Sequence, residues 1–451
     1  MNAAVECAER GDYKGFWDAC GSFPDDWLTA YWRAACLFNG LGCERNREEG
    51  FQFARTIAPV ILKLAETNDV VAQCKFGSLC ANGCGVEKDE VRAVEWYRKA
   101  AERGNAKAQY NLSRRYAAGR GVAKDEVQAM VWCRRAAEQG YTMAQCNLGW
   151  MYECGRGIEK DEVQAVMLYR KAAEHRDALA QYNLGLMYAD GRGVEKDEVQ
   201  AAFWCRKAAE QGRVDAQNWL GCAYENGRGV ERDDVRAAQW FLKAAEHGDA
   251  VAQYNMGLMY ENGRGVEKDG VQAAAWYRKA AEQGRVEAQY NLAVMYLNGR
   301  GVETDEVCAF EWFCKAANRG DAGSCFGVGS MYENGRGVEK DIKQAVAWYR
   351  KAAEKGFATA KDKIEQLCLL KDDGSFAPSF EVAQQRARLL ARAHAKKAYL
   401  RRFVHLVDRE PRDDEWNLTE DEMIGLFKSE HKVLGSVGSL FLRAIRPFRY
   451  E

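Results

Sequence analysis

An all-α solenoid of stacked helical hairpins is the fold class that this 451-residue sequence predicts. Three observations predict it: glycines recur at a fixed 36-residue step, tryptophans keep the same step, and helical apolar periodicity fills the intervals. Gly83, Gly119, Gly155, Gly191, Gly227, Gly263, Gly299 and Gly335 set the register, and each is followed two positions later by another glycine. Trp96, Trp132, Trp204, Trp240, Trp276, Trp312 and Trp348 follow the same step, with Leu168 as the exception. A fixed period of this kind overrides the three-domain organisation that length alone suggests.

Composition agrees. Forty-two glycines against five prolines, with 29% charged residues, exclude collagen and flexible linker. A 47% hydrophobic content and a net charge of −1 exclude a disordered chain. No long basic block dominates, so nucleic acid is not an expected partner.

Taken in order, residues 1–69 read as an N-terminal cap and a degenerate unit. The first 20 residues suggest one or two capping helices. Tyr31, Ala34, Ala35 and Leu37 then precede Gly40-Leu41-Gly42 and a longer helix over 48–66. Residues 70–357 hold eight units of 36 residues. In the unit from 178 to 213, Ala180, Leu184, Met187 and Tyr188 recur at helical spacing and stop at Asp190-Gly191, where glycine suits a left-handed helix terminus. Asp197-Glu198-Val199-Gln200 then reads as a capping box that opens a second helix, as at Asp125, Asp161, Asp269 and Asp341. That helix carries Ala201, Trp204, Ala208 and Ala209 and ends at Gly212; its column runs from Gly104 to Gly356, with Arg176 replacing one glycine. Alanines let helices approach closely, and the aromatics fill the gap between layers. One unit alone cannot bury this apolar face, so neighbours must stack. Residues 358–370 read as a closing helix and 376–451 as a C-terminal helical region.

The run AQYNLGLMYADGRGVEKDEVQAAFWCRKAAEQG, residues 180–212, resembles the Sel1-like repeat, a relative of the tetratricopeptide repeat. The alanines, the tyrosine, the paired glycines, the capping aspartate and the tryptophan coincide over eight copies. They weaken in the last, where Ser324, Cys325 and Gly327 replace the usual Ala, Gln and Asn. The resemblance implies a right-handed superhelical α/α array that acts as an adaptor in assembling protein complexes. It fixes no partner.

Sixteen cysteines would form a disulfide framework if they recurred in register, as in the secreted, cysteine-rich branch of the family. They do not recur so. Cys74 and Cys146 share one column and Cys133 and Cys205 another, while Cys222, Cys308, Cys314 and Cys325 are scattered. The N-terminus lacks an apolar leader core, and no stretch is long enough to span a bilayer. Free thiols in a reducing, cytoplasmic setting are therefore expected. Cys74, Cys80 and Cys84 form one isolated trio without a nearby histidine, a poor zinc signature, and no cofactor is expected.

Catalytic patterns fare poorly. Gly-Arg-Gly-Val-Glu-Lys lacks the preceding strand of a phosphate-binding loop. The repeated aspartates open helices, and the five histidines occupy unrelated positions. Some cysteine-rich relatives hydrolyse β-lactams, but this chain lacks their cysteine register. No enzyme and no small-molecule substrate are expected, with a hydrolase of that type the distant alternative.

Binding is better supported. In each first helix the columns of 108, 112 and 116 read as core, while those of 107, 111, 114 and 118 form one variable stripe. The candidate partner-binding residues on it are Lys107, Asn111, Arg114, Asn147, Trp150, Asn183, Leu186, Trp219, Asn255 and Asn291. First helices line the concave face in solenoids of the tetratricopeptide type. An asparagine amide there can donate to and accept from an extended peptide backbone, and tryptophan can anchor it. A repeated asparagine can equally bridge adjacent helices inside the array. A second reading rests on the basic amphipathic helix predicted over 382–407. Arg386, Arg388, Arg392, Lys396, Lys397, Arg401 and Arg402 surround an apolar side, a pattern suited to an anionic membrane surface. The sequence thus predicts a non-catalytic scaffold for a protein or peptide partner, with a membrane-peripheral regulator as the alternative.

Overall fold

The computed structural model describes residues 27–368 together with Lys14, Gly15, Trp17 and Asp18. These residues contain nineteen helices and no strand. The first hairpin joins α1 (Trp27–Asn39) to α2 (Arg47–Glu66). The next four are α3 (Val70–Asn82) with α4 (Glu90–Glu102), α5 (Ala106–Ala118) with α6 (Glu126–Glu138), α7 (Thr142–Cys154) with α8 (Glu162–Glu174), and α9 (Ala178–Asp190) with α10 (Glu198–Glu210). Then come α11 (Val214–Asn226) with α12 (Asp234–Glu246), α13 (Ala250–Asn262) with α14 (Gly270–Glu282), and α15 (Val286–Asn298) with α16 (Glu306–Asn318). The last are α17 (Ala322–Asn334) with α18 (Ile342–Glu354), and α19 (Thr359–Cys368). The described residues thus form an all-helical repeat solenoid.

The chain divides into two compact units. One runs to Ser324 and takes in Arg336–Val338; the other comprises Cys325–Gly335 and the described residues from Glu339. In the first unit each helix packs on its predecessor and its successor in the chain. In the second, the Tyr349 ring packs against Phe326, and its hydroxyl donates to Glu333 Oε2 at 2.5 Å.

Each 36-residue unit closes by the same local chemistry. Gly191 adopts φ 69° and its N–H donates to the Met187 carbonyl, ending α9 in a left-handed cap. Asp197 then donates its own N–H to the Tyr188 carbonyl at 2.9 Å, folding the loop back onto α9. Its carboxylate accepts from the N–H groups of Val199 and Gln200, both at 2.9 Å, and opens α10. The predicted capping box is half-used: among the described residues, Gln200 and its counterparts are exposed and make no return bond. The Asp N–H that such a bond would satisfy is already taken by the tyrosine carbonyl. Between the two helices, Gly193 has φ 65°, and a Cβ there would overlap the Glu162 carbonyl of the preceding repeat. That glycine is required twice, by its backbone conformation and by the close approach of two repeats.

Repeats are joined by packing and by two hydrogen-bond columns. Tyr169, Phe241 and Tyr277 are fully buried among alanines. Gln109, Gln181 and Gln253 are also buried, each donating from Nε2 to an alanine carbonyl eight residues earlier, at 3.0–3.1 Å. Arg98, Arg170 and Arg278 donate to the hydroxyls of Tyr116, Tyr188 and Tyr296 in the following repeat, at 2.6–2.9 Å. These tyrosines are half-buried, which corrects their reading as core: the ring packs inward while the hydroxyl stays within reach of arginine at the edge.

Candidate functional site

Four of the ten candidate residues converge. Asn111 and Arg114 on α5 and Asn147 and Trp150 on α7 line one cavity of about 450 Å³. They lie on first helices of successive repeats, and Asn82 of α3 extends the same wall. Arg114 and Trp150 are exposed, Trp150 at 38%, while both asparagines are half-buried. The Asn147 amide donates towards Cys133 Sγ at 3.5 Å, so it holds α7 against α6 while its other side faces the cavity.

Three arginines absent from the candidate set complete the site. Arg115 and Arg120 belong to the α5 repeat, and Arg156 follows α7. The Arg156 guanidinium lies 5.0 Å from the centroid of the Trp150 ring. Arg115 stands where other repeats hold Leu79, Met151, Met187, Ala223, Met259 and Met295, all buried. Its side chain is only 16% exposed, and its Nη1 sits 3.7 Å from Glu90 Oε1, beyond hydrogen-bond distance. It also lies beside the Tyr97 hydroxyl. Internal comparison of the repeats carries this signal, because a charge in an otherwise apolar column stands out.

The remaining candidates do not join this cavity. Lys107 Nζ lies 5.3 Å from the Trp32 ring centroid. Asn183 and Leu186 are half-buried on α9, and Trp219 packs against the core around Leu220. Asn255 Nδ2 donates to Asn218 Oδ1 at 3.3 Å, a bond between first helices of neighbouring repeats. Asn291 lies beside the Tyr254 and Tyr277 hydroxyls. The basic positions Arg386, Arg388, Arg392, Lys396, Lys397, Arg401 and Arg402 lie outside the described residues.

Two further recesses, about 390 and 630 Å³, are lined by Arg206 with Tyr224 and by Arg170 with Tyr188. They occupy equivalent columns one repeat apart, so they are features of the scaffold. The cavity at Asn111 and Trp150 has no such counterpart in sequence. Its α5 segment reads Ser-Arg-Arg-Tyr-Ala-Ala where α13 reads Gly-Leu-Met-Tyr-Glu-Asn.

The described cysteines are free; burial pushes Cys133 up to about 11 and Cys146 and Cys205 to about 12, which keeps them protonated and unreactive. Among the described residues, no group of three or more His, Cys, Asp or Glu converges on a metal position, and no helix is long and apolar enough to cross a membrane.

A stack of near-identical helical hairpins defines a helical-repeat protein of the tetratricopeptide type. The repeats place it further: residues 28–58, 70–105, 106–141, 142–177, 178–212, 214–249, 250–284, 286–321 and 322–357 match the Sel1 repeat, and the chain belongs to the Sel1 repeat family. Among solved structures it is similar to a protective antigen of uropathogenic Escherichia coli strains displaying an SLR fold. The identity is 31% over 78% of this chain and 82% of that one, with a TM-score of 0.53. It is also similar to a Sel1 repeat protein from Oxalobacter formigenes, 35% identical over 68% of this chain and 90% of that one, TM-score 0.56. No protein of curated function matches the chain in sequence. Repeat proteins of this kind generally mediate protein–protein interaction and serve as non-catalytic scaffolds.

Proposed function

We propose that this chain is a non-catalytic scaffold that binds a partner polypeptide on the face formed by its first helices. One observation carries the reading: the variable stripe of α5 and α7 borders a cavity, and Trp150 stands 38% exposed on its wall. Tryptophan and arginine, both present on this wall as Trp150, Arg114 and Arg156, are residue types enriched in protein-binding hot spots. The amides can satisfy a partner backbone, and the ring can bury against its side chains.

The test is capture of partners by the tagged full chain after crosslinking in the native cell, quantified by mass spectrometry. Captured polypeptides should fall at least several-fold with the Asn147→Ala, Trp150→Ala double variant. An unchanged set at unchanged abundance would remove the reading.

A further inference from the structure

We infer that the cavity between α5 and α7 is a receptor for a short acidic peptide segment. The inference rests on the scaffold reading and names the chemistry of the partner at that site. Four arginines, Arg114, Arg115, Arg120 and Arg156, line the cavity, with Glu126 as the one acid among its lining residues. Two existing pairs are loose. Arg115 lies 3.7 Å from Glu90, and Arg156 lies 3.9 Å from Glu126, which Lys124 already contacts at 3.1 Å. Arg114 and Arg120 have no carboxylate partner among the described residues. Arginine is suited to such a role because its planar fork can accept a carboxylate through two parallel hydrogen bonds.

Comparison between repeats shows that half of this charge is local: Arg120 and Arg156 belong to a column that Arg192, Arg228, Arg264, Arg300 and Arg336 continue, whereas Arg114 and Arg115 have no arginine counterpart. The columns of Arg114 and Arg115 hold Leu186 and Met187 one pair of repeats further on, and Leu258 and Met259 after that. The columns of Ala117 and Ala118 hold Glu153, Asp190, Glu225 and Glu261 in later repeats. The α5 repeat has therefore exchanged two apolar side chains for cations and replaced acid by alanine, which both opens the volume and inverts its charge. A polyanion running along the array would meet those later carboxylates. A short segment confined to the α5 and α7 repeats would meet only Glu153 among them, whose carboxylate Tyr169 and Arg192 already hold, and this favours an acidic peptide over a nucleic-acid strand. The volume of about 450 Å³ accommodates a few side chains, with Trp150 offering an apolar wall for a neighbour of the acidic residues.

The test is fluorescence anisotropy of the full chain titrated against a fluorescein-labelled decapeptide of Asp and Glu around a central Leu-Phe pair. A matched Asn and Gln peptide and a labelled ten-nucleotide thymidine strand serve as comparison probes. The acidic peptide should bind saturably and at least tenfold more tightly than either, and should weaken as salt rises. Arg114→Leu with Arg115→Met should reduce its affinity at least tenfold while holding or raising the thermal midpoint, because both replacements are residues that other repeats carry in those columns. Arg228→Ala, at the column of Arg156 but outside the cavity, should leave binding unchanged. Equal binding of the acidic and amide peptides, tighter binding of the oligonucleotide, or full affinity in the double variant would overturn the inference. If the double variant still captures every partner in crosslinked cells, the scaffold reading stands and the acidic receptor falls.

Discussion

At the scale of single residues, Arg176 and Lys75 break the rules of their columns at a cost to stability. Arg176 occupies the place at the end of the second helix where most other repeats put glycine, and it is held at φ 61°. A Cβ in this left-handed region costs roughly 1 kcal/mol, which the glycine at Gly212, φ 83°, avoids. Arg176→Gly should therefore raise stability by about 0.5–1 kcal/mol, read as an upward shift of the chemical-denaturation midpoint. Lys75 is the second exception. It sits in the asparagine column at 5% exposure, with Nζ over the Trp32 and Tyr31 rings at 3.8 and 4.4 Å. Burial, reinforced by the neighbouring Lys107 charge and opposed by Cys74, brings its amine down from 10.5 to about 7. The aromatic faces offset part of that desolvation. Because the folded chain binds the proton less tightly than the unfolded one, the destabilisation is complete below about pH 7. It fades as pH rises from there to 10.5. Lys75→Met should raise the thermal midpoint most at pH 6 and progressively less towards pH 10. A gain independent of pH would show that packing, and not charge, sets the cost.

At the scale of elements, the hairpins are joined by the buried glutamine column, and its partners alternate. Gln139, Gln211 and Gln283 each donate from Nε2 to the Oε1 of a buried glutamine in the first helix of their own repeat, at 2.7 Å. In the intervening repeats His175 and His247 occupy that position, and the Oε1 atoms of Gln145 and Gln217 are buried without a hydrogen bond. A buried unsatisfied acceptor is costly, and one restored bond is worth about 1 kcal/mol. His175→Gln should recover about that much by supplying the donor its neighbours already have, measured by denaturant unfolding against His247→Gln as a replicate. The hairpins and their caps were legible in the sequence because Gly191 and Asp197 act within a few residues of their own position. Gln181 was not, since a polar residue in a buried column shows itself only when the carbonyl it meets, Ala173, is placed. Arg115 was half-legible. Its departure from an apolar column can be read by aligning the repeats, but the cavity also needs Ala117 and Ala118 to leave room beside Trp150, and that is a three-dimensional fact.

At the scale of the whole molecule, stability should be local. In the unit that holds the first eight hairpins, each helix packs mainly on its neighbours in the chain, so the energy of one repeat reaches distant repeats only through those between. Tyr169 tests this. It is fully buried at the centre of α8, and its hydroxyl donates to Glu153 Oε2 at 2.7 Å, while Arg192 of the next repeat reaches the other oxygen of the same carboxylate at 2.6 Å. Tyr169→Ala removes a buried aromatic ring at a cost of about 3–5 kcal/mol and leaves Glu153 with one partner fewer. In a compact globular domain, such a loss would lower amide protection everywhere by a similar amount. Here hydrogen exchange should accelerate sharply across α7 to α9 and only weakly across α13 to α16, two or more repeats away. Uniform acceleration from α3 to α16 would mean that the array folds as one cooperative block. A binding event in the α5–α7 cavity would then be felt along the whole unit, whereas nearest-neighbour coupling confines it to the repeats that touch the ligand.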